Sequence, residues 1–402
     1  MHLFSWTQTF ILASALVLSD CTQVVEDDIH TLPVLLWWTP FGGNPSFVQE
    51  CGTHRCVVTD DRARTTDPRL GAFLFYGSDL QPWDLPLPRN SRVLWALLHE
   101  ESPKNAPIFC HDDCIGLFNV TSTFRSGSDL PLTLQYLGSL DELTSSAALL
   151  SLEQKAAAGL APLVYLASGC DNPLQRDEYV RELMRYIAVD SYGACLNNRQ
   201  LPTSLADPAE SDETELDALL APYRFYLALE NAVCDDYVTE KLWRPLRLGV
   251  VPVYHGAPNV RRWLPNNDSA VLVTDFASPR ALAAHLRRLG ANAAAYAARL
   301  RHKRGVITNR LLRETLAARD WAAHDRTNGP SFVEAFQCHV CALAWRPEVA
   351  PRTRRPHALR LPAAGAAAAG CRPLVVGRAV GARDLRGTPH APPGGRGPRR
   401  HA

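Results

Sequence analysis

The chain has 402 residues, 46% of them apolar and 21% charged, which is length for two full cores and excludes a wholly disordered or fibrous protein. Its net charge of +1 hides a division, because residues 346–402 hold twelve arginines against two acidic residues, or +10, leaving −9 for residues 1–345. A mildly acidic body argues against a nucleic-acid surface and confines any basic site to a local pocket.

At the start, residues 1–20 carry a short apolar run from Phe10 to Leu18, interrupted by Ser and Thr, which reads as a signal peptide or signal-anchor. Two further features favour the lumen of the secretory pathway. Asn119-Val120-Thr121 and Asn267-Asp268-Ser269 are N-glycosylation sequons, and eleven cysteines suit an oxidising compartment. The close pairs Cys51/Cys56 and Cys338/Cys341 are disulfide candidates, each expected to close on itself. For the C-x-x-C at Cys338, a redox motif or half a zinc site are the other readings.

Leu32–Trp38, Ala72–Leu80 and Arg92–Pro103 are apolar runs expected to form buried strands, the last ending in His99, Glu100 and Glu101. Strands that end on polar groups predict an α/β domain over 32–140 with a crevice at that edge. Leu117–Pro131 reads as a polar loop offering Arg125 and Asp129, which are also candidates to pair with each other. Residues 141–160 make a connecting segment, helical over Leu140–Ala161. A second domain is expected over 161–345, with a strand at Leu163–Leu166 and a helix opening near Arg176. Pro202–Asp217 reads as an acidic loop.

The densest stretch is Tyr223–Gly256. Phe225–Leu229 predicts a buried strand ending at Glu230 and Asn231, and Val250–Tyr254 a second one. Between them Leu242, Leu246 and Leu248 have helical spacing, with Asp235 or Asp236 as cap and Gly249 as C-cap. A helix starting near Tyr237 would place Tyr237, Glu240 and Lys241 on one face of its first turn. A lysine there is unfavourable beside the helix dipole unless an anion such as a diphosphate lies against it; a plain surface Glu/Lys pair is the alternative. Arg176 repeats that geometry at a second helix start. A further strand and the helix Ser278–Gly290 follow, and residues 346–402 read as a basic Ala/Pro/Gly/Arg-rich tail outside the fold.

Neither a G-x-x-x-x-G-K-[ST] loop nor a G-x-G-x-x-G turn occurs, which removes the simplest NTPase and dinucleotide readings. No D-x-D triplet occurs either, so a sugar-nucleotide transferase here would hold its diphosphate with protein cations rather than a metal. Arg176 and Lys241 are the candidates, and either Glu100 or Glu101 is placed to act as base from the other half.

FYLALEN, DYVTEKLWRPLRLGVVPVYHG, the upstream ESP, the FNVTSTFRSGSD segment and the terminal C-x-x-C together resemble the α-1,3-fucosyltransferase family, over about Leu32 to Trp345. HEESPKN, YVRELM and VDSYGACL bring the likeness nearest to its divergent subgroup, fucosyltransferases ten and eleven. The resemblance implies an α/β fold of GT-B type, with two Rossmann-like domains facing a central cleft, and inverting, metal-independent transfer from GDP-fucose. It implies Glu101 as general base, Arg176 and Lys241 on the diphosphate, and Glu230, Asn231, Tyr237 and Glu240 lining the donor pocket, with Glu100 and Arg125 as accessory groups. The acceptor implied is Ser/Thr of folded modules, EMI domains in that subgroup, in the endoplasmic reticulum or Golgi lumen, with a single-pass type II anchor where the N-terminus is uncleaved. Transfer to GlcNAc of N-glycans and a catalytically silent client-binding protein are the alternatives.

Overall fold

The structure, a computed structural model, describes residues 29–39, 46–170, 175–205, 212–323 and 329–346. The signal segment and the basic tail beyond Arg346 lie outside the described residues. Among the described residues no helix is long and apolar enough to cross a membrane.

Two sheets organise the chain. The first has the order β2-β3-β1-β4-β5-β6, formed by β1 (Val34–Trp37), β2 (Phe47–Cys51), β3 (His54–Thr59), β4 (Leu70–Tyr76), β5 (Leu94–His99) and β6 (Val120–Thr123). Only the β2–β3 hairpin is antiparallel. The second sheet is parallel throughout, in the order β11-β10-β9-β7-β8. Its strands are β7 (Leu163–Ala167), β8 (Val189–Gly193), β9 (Phe225–Leu229), β10 (Val251–His255) and β11 (Val271–Leu272). Continuous apolar runs make such strands because both faces are covered. Helices α1 (Arg176–Met184) and α4 (Pro279–Gly290) cover one face, while α3 (Glu240–Leu248) covers the other; α2 (Glu213–Leu220) lies between α1 and α3 in the chain. Further on come α5 (Arg310–Ala318) and α6 (Phe332–Ala344).

Several expectations are corrected. Leu140–Ala161 forms two short helices, Leu140–Thr144 and Leu152–Ala157, rather than one. The break is anchored from outside, since Lys303 Nζ donates to the carbonyls of Ser145 at 2.7 Å and Glu142 at 3.3 Å. The acidic stretch is not all loop: Asp212 caps α2, whose acidic first turn suits the positive helix end. Neither the β2–β3 hairpin nor β8 was legible, and the polar segment at Leu117–Pro131 contains β6.

α6 follows the second sheet in the chain but packs on the first, burying Phe336, Val340 and Cys341 against Leu35, Val58 and Leu74. That return explains the cysteines. They do not close on themselves; Cys51 bonds Cys338 and Cys56 bonds Cys341, so both bridges tie α6 to the β2–β3 hairpin. A third bridge joins Cys170 to Cys195. Cys56 lies opposite Gln49, two positions from Cys51, so the two cysteines share a face but stand diagonal to each other, and both turn to α6 instead of closing locally.

Mass mapping of an unreduced digest should find the Cys56 peptide joined to that of Cys341, not to that of Cys51. Replacing Cys56 and Cys341 together by Ser should cost about 2–5 kcal/mol of stability in denaturant unfolding.

Candidate active site

The second sheet changes winding direction between β7 and β9, and ligands of such sheets bind outside the strand ends at that point. Arg176, the first residue of α1, straddles it. Its Nη1 donates to the Leu229 carbonyl at 3.2 Å and to Asn231 Oδ1 at 2.7 Å, and its Nη2 to the Gly169 carbonyl at 3.3 Å. The side chain is buried, and its Nε has no partner among the described residues. Every acceptor it meets there is neutral, so its charge is uncompensated, a costly state unless an anion completes the site.

Beside it, Glu230 directly follows β9 and is fully buried, at 0% exposure. Its Oε1 accepts from the Thr239 amide at 2.9 Å and its Oε2 from the Thr239 hydroxyl at 2.7 Å. Burial pushes its pKa up to about 7, against the pull of Lys241 and these hydrogen bonds. Thr239 is the N-cap of α3, so Asp235 and Asp236 are not caps and the helix starts at Glu240, leaving Tyr237 before it. Gly249, at φ 65°, is the C-cap as expected, and Pro245 lies inside the helix. Gly256 is required by close packing, because a Cβ there would lie 2.4 Å from Glu230 Cγ.

Lys241 pairs with Glu240, Nζ to Oε1 at 2.8 Å, and lies 3.9 Å from Glu230 Oε2. Burial opposes its charge, but Glu240 and Glu230 outweigh burial and hold its pKa well above the ordinary lysine value. Burial likewise opposes ionisation of Glu240, and Lys241 and then Arg244 outweigh it. The Glu/Lys pair is therefore real, but it is half-buried at the same strand edge as Arg176 rather than on an open surface.

On the other side, Glu101 follows β5. It is half-buried, and its Oε2 accepts from Asn105 Nδ2 at 3.1 Å and the Ser102 amide at 3.3 Å. Glu100 is buried, with its Oε1 accepting from the Tyr76 hydroxyl at 2.7 Å. The structure thus separates two carboxylates that the sequence left equivalent: Glu101 faces the opening and Glu100 is held inside. Tyr237, buried, packs edge-on to Phe124 with ring centres 5.1 Å apart. Burial raises its pKa, and Glu230, Glu101, Tyr136 and Glu240 add to the effect. Charges from both halves therefore converge on Tyr237.

The two halves are clasped. Arg125 does not pair with Asp129, which instead accepts from the amide and hydroxyl of Thr121 at 2.8 and 3.1 Å. Arg125 reaches across to Asp235, Nη1 to Oδ2 at 3.6 Å. Next to it, Ser126 donates its amide and hydroxyl to Asp236 Oδ2 at 3.0 and 2.8 Å, while Asn259 Nδ2 and Trp263 Nε1 donate to Oδ1 at 2.8 and 3.0 Å. Asp236 sits at φ 66°, the left-handed region that aspartate tolerates better than most residues. The clasp was missed because it joins segments 110 residues apart. Its only trace in sequence was the Asp-Asp pair. As for the sequons, Asn267 is exposed, while the Asn119 side-chain oxygen accepts from the Trp95 amide and Arg89, both at 3.0 Å.

Two α/β halves, with cations at the strand ends of one and a carboxylate at the strand end of the other, define a GT-B type sugar-nucleotide transferase. Two family models match: "Fucosyltransferase, N-terminal" over residues 30–135 and "Glycosyltransferase family 10 (fucosyltransferase) C-term" over 158–352. GDP-fucose protein O-fucosyltransferase 3 of Xenopus tropicalis is 48% identical over 316 residues, 78% of this chain and 67% of its own. The Homo sapiens protein of that name is 47% identical over 321 residues, covering 79% and 67%. Two crystal structures of alpha1,3-fucosyltransferase, the second with GDP, match 77% and 74% of the chain and 90% and 93% of their own, at 16% identity and TM-scores of 0.41 and 0.40. That likeness is too distant to carry any argument. The chain belongs to glycosyltransferase family 10, the fucosyltransferases.

Asp236→Ala should lower stability by about 3 kcal/mol by leaving buried donors without their charged acceptor. Burial would raise the Asp236 pKa, but hydrogen bonds from Ser126, Asn259 and Trp263 bring it below 3.8. A depressed folded value means the contribution is present at neutral pH and lost as pH falls through and below 3.8. Unfolding of the wild type and Asp236→Asn between neutral and acid pH should therefore converge at the acid end.

Proposed function

We propose that the chain transfers L-fucose from GDP-fucose to Ser/Thr hydroxyls of folded protein modules, with inversion and without a metal. The observation that carries this is buried Arg176 at the winding reversal with Lys241 at the start of α3 beside the same strand edge, facing a half whose strand β5 is followed by Glu101. The printed names of the relatives, protein O-fucosyltransferases, supply the donor and the acceptor class.

In this reading Glu101 takes the proton of the acceptor hydroxyl as its oxygen bonds to C1 of fucose. The bond from C1 to the diphosphate oxygen breaks on the opposite side, and GDP leaves with the electron pair. Arg176 and Lys241 hold the charge that develops there, Arg176 through its uncompensated guanidinium and Lys241 by turning from Glu240 to the diphosphate. Glu230 buttresses Thr239 and so the start of α3, while Asn231, Tyr237 and Glu240 line the pocket. Glu100, held by Tyr76, fixes the end of β5 from which Glu101 projects, and Arg125 keeps the halves closed. The setting is the endoplasmic reticulum or Golgi lumen, with the N-terminus as anchor where it is retained. An exposed Asn267 makes that sequon the glycosylated one, and Asn267→Gln should abolish a glycosidase-sensitive mass shift in secreted protein.

Glu101→Gln should cut kcat at least about 100-fold while leaving GDP binding intact, and Lys241→Ala should weaken GDP binding measured by calorimetry. Offering an EMI module and an N-glycan side by side, with products read by mass spectrometry, decides the acceptor. Undiminished transfer by both variants would overturn the residue roles, and absence of GDP binding by the wild type would favour a silent client binder.

A further inference from the structure

Two apolar side chains stand out from the first half on the loop that leads from β4 to β5. Trp83 is 83% exposed and Leu87 71%, the highest values of any large apolar residue among the described residues. Single apolar groups on a surface are ordinary, but two this exposed and four residues apart on one loop make a patch.

The loop that carries them is held stiffly. Gln81, Pro82, Trp83 and Asp84 make a turn closed by the Asp84 amide donating to the Gln81 carbonyl at 3.0 Å, and Pro82 fixes the backbone ahead of Trp83. The Asp84 carbonyl accepts from Trp38 Nε1 at 2.6 Å, and its carboxylate accepts from Arg62 Nη1 and Nη2 at 3.0 and 2.6 Å. Arg62 in turn lies 4.1 Å over the Trp38 ring and donates to the Trp38 carbonyl at 2.8 Å. Leu85 packs on the core of the first sheet, and Pro86 is buried. Asp84, Leu85 and Pro86 thus anchor the loop, and Trp83 and Leu87 project on either side of them. Side chains preset in this way lose little freedom when something binds them.

Their place follows from the strand ends. Trp38 directly follows β1, its amide donates to the Leu74 carbonyl of β4, and β4 lies between β1 and β5. Gly77, after β4, packs so closely on the end of β5 that a Cβ there would lie 2.6 Å from His99 Nδ1. The turn therefore stands at the same strand ends as Glu101, two strands along, or about 10 Å at the spacing of neighbouring strands. Arg125 and Ser126 follow β6, on the other side of β5, so Glu101 lies between the clasp and the turn. A stable protein contact covers about 800 Å² on each partner, a disc of roughly 16 Å radius. A folded acceptor seated with its hydroxyl at Glu101 covers the turn.

We propose that Trp83 and Leu87 grip the protein acceptor, entering an apolar patch on the folded module beside the Ser/Thr that reaches Glu101. An aromatic anchor with an aliphatic neighbour on a rigid turn suits a protein surface, whereas a branched aliphatic group offers nothing to the hydroxyls of a glycan. The inference rests on the transferase reading above and adds to it where the acceptor is held.

Steady-state transfer to the folded EMI module tests it. Trp83→Ser combined with Leu87→Ser should raise KM for the module at least about tenfold, while kcat, GDP affinity and hydrolysis of GDP-fucose without acceptor stay within about twofold of the wild type. Trp83→Phe should recover most of the loss. Should the double variant fail to fold, Leu87→Ser alone should raise the same KM about threefold. An unchanged KM in a wild-type background that transfers to the module would overturn the inference and leave the transferase reading standing. A loss confined to transfer onto an N-glycan would overturn it in favour of a sugar contact, and a wild type that sediments as a dimer beside a monomeric double variant would assign the patch to a second copy of the chain. A wild type that binds GDP but transfers to neither acceptor would sink the transferase reading and the inference with it.

Discussion

The Asp236 carboxylate is the constraint on which the active site depends. Glu101, the proposed base, and the cations Arg176 and Lys241 lie on different halves, so their geometry is only as good as the joint between them, and a buried acid receiving donors from both sides is a stiff joint. The left-handed backbone at Asp236 turns the chain so that Ala232, Val233, Cys234 and Tyr237 enter the apolar core of the first sheet. The donor loop is thereby packed as part of the opposite domain's core. A water-filled hinge at that place would let Glu101 drift from Arg176 and Lys241, which the proposed reaction needs it to face.

Electrostatics divides the cleft into two regions. At the winding reversal, the partners of Arg176 among the described residues are neutral, so its positive charge meets no carboxylate there. Around the start of α3 carboxylates are in excess, with Lys241 already engaged by Glu240 and near Glu230. An anion is drawn to the first region and a polyhydroxyl group to the second, which is the polarity of a sugar nucleotide. Burial pushes Glu230 up to about 7, so the bare pocket carries its negative charge at a cost that a bound cation-seeking ligand rearrangement at Lys241 would have to share.

How much of this was legible in sequence depended on range. β9, α3's apolar face and its Gly249 cap were readable because strand runs, helical spacing and C-caps are local signals. The start of α3 was misplaced by three residues because Thr239 competes with Asp235 and Asp236 as a cap, and what decides is Glu230, a partner nine residues away. Disulfide partners were misassigned for the same reason: Cys56 meets Cys341 across 285 residues only because α6 returns to the first sheet.

The crossing from the first sheet to the second, between β6 and β7, also explains why the first sheet needs α6. A segment that leaves one domain, meets the cleft and enters the other would act as a simple hinge if nothing closed the circuit. Here the chain returns after Arg319, and the two disulfides lock α6 to the hairpin at the far edge of the first sheet. The halves are then joined at three separated places: the crossing, the Asp236 clasp and the α6 return. Relative rotation must break at least one of them, whereas small sliding along the cleft need not. An acceptor as large as a folded module can be admitted to a cleft held in this way only from its open rim, on the side of half-buried Glu101 rather than buried Glu100.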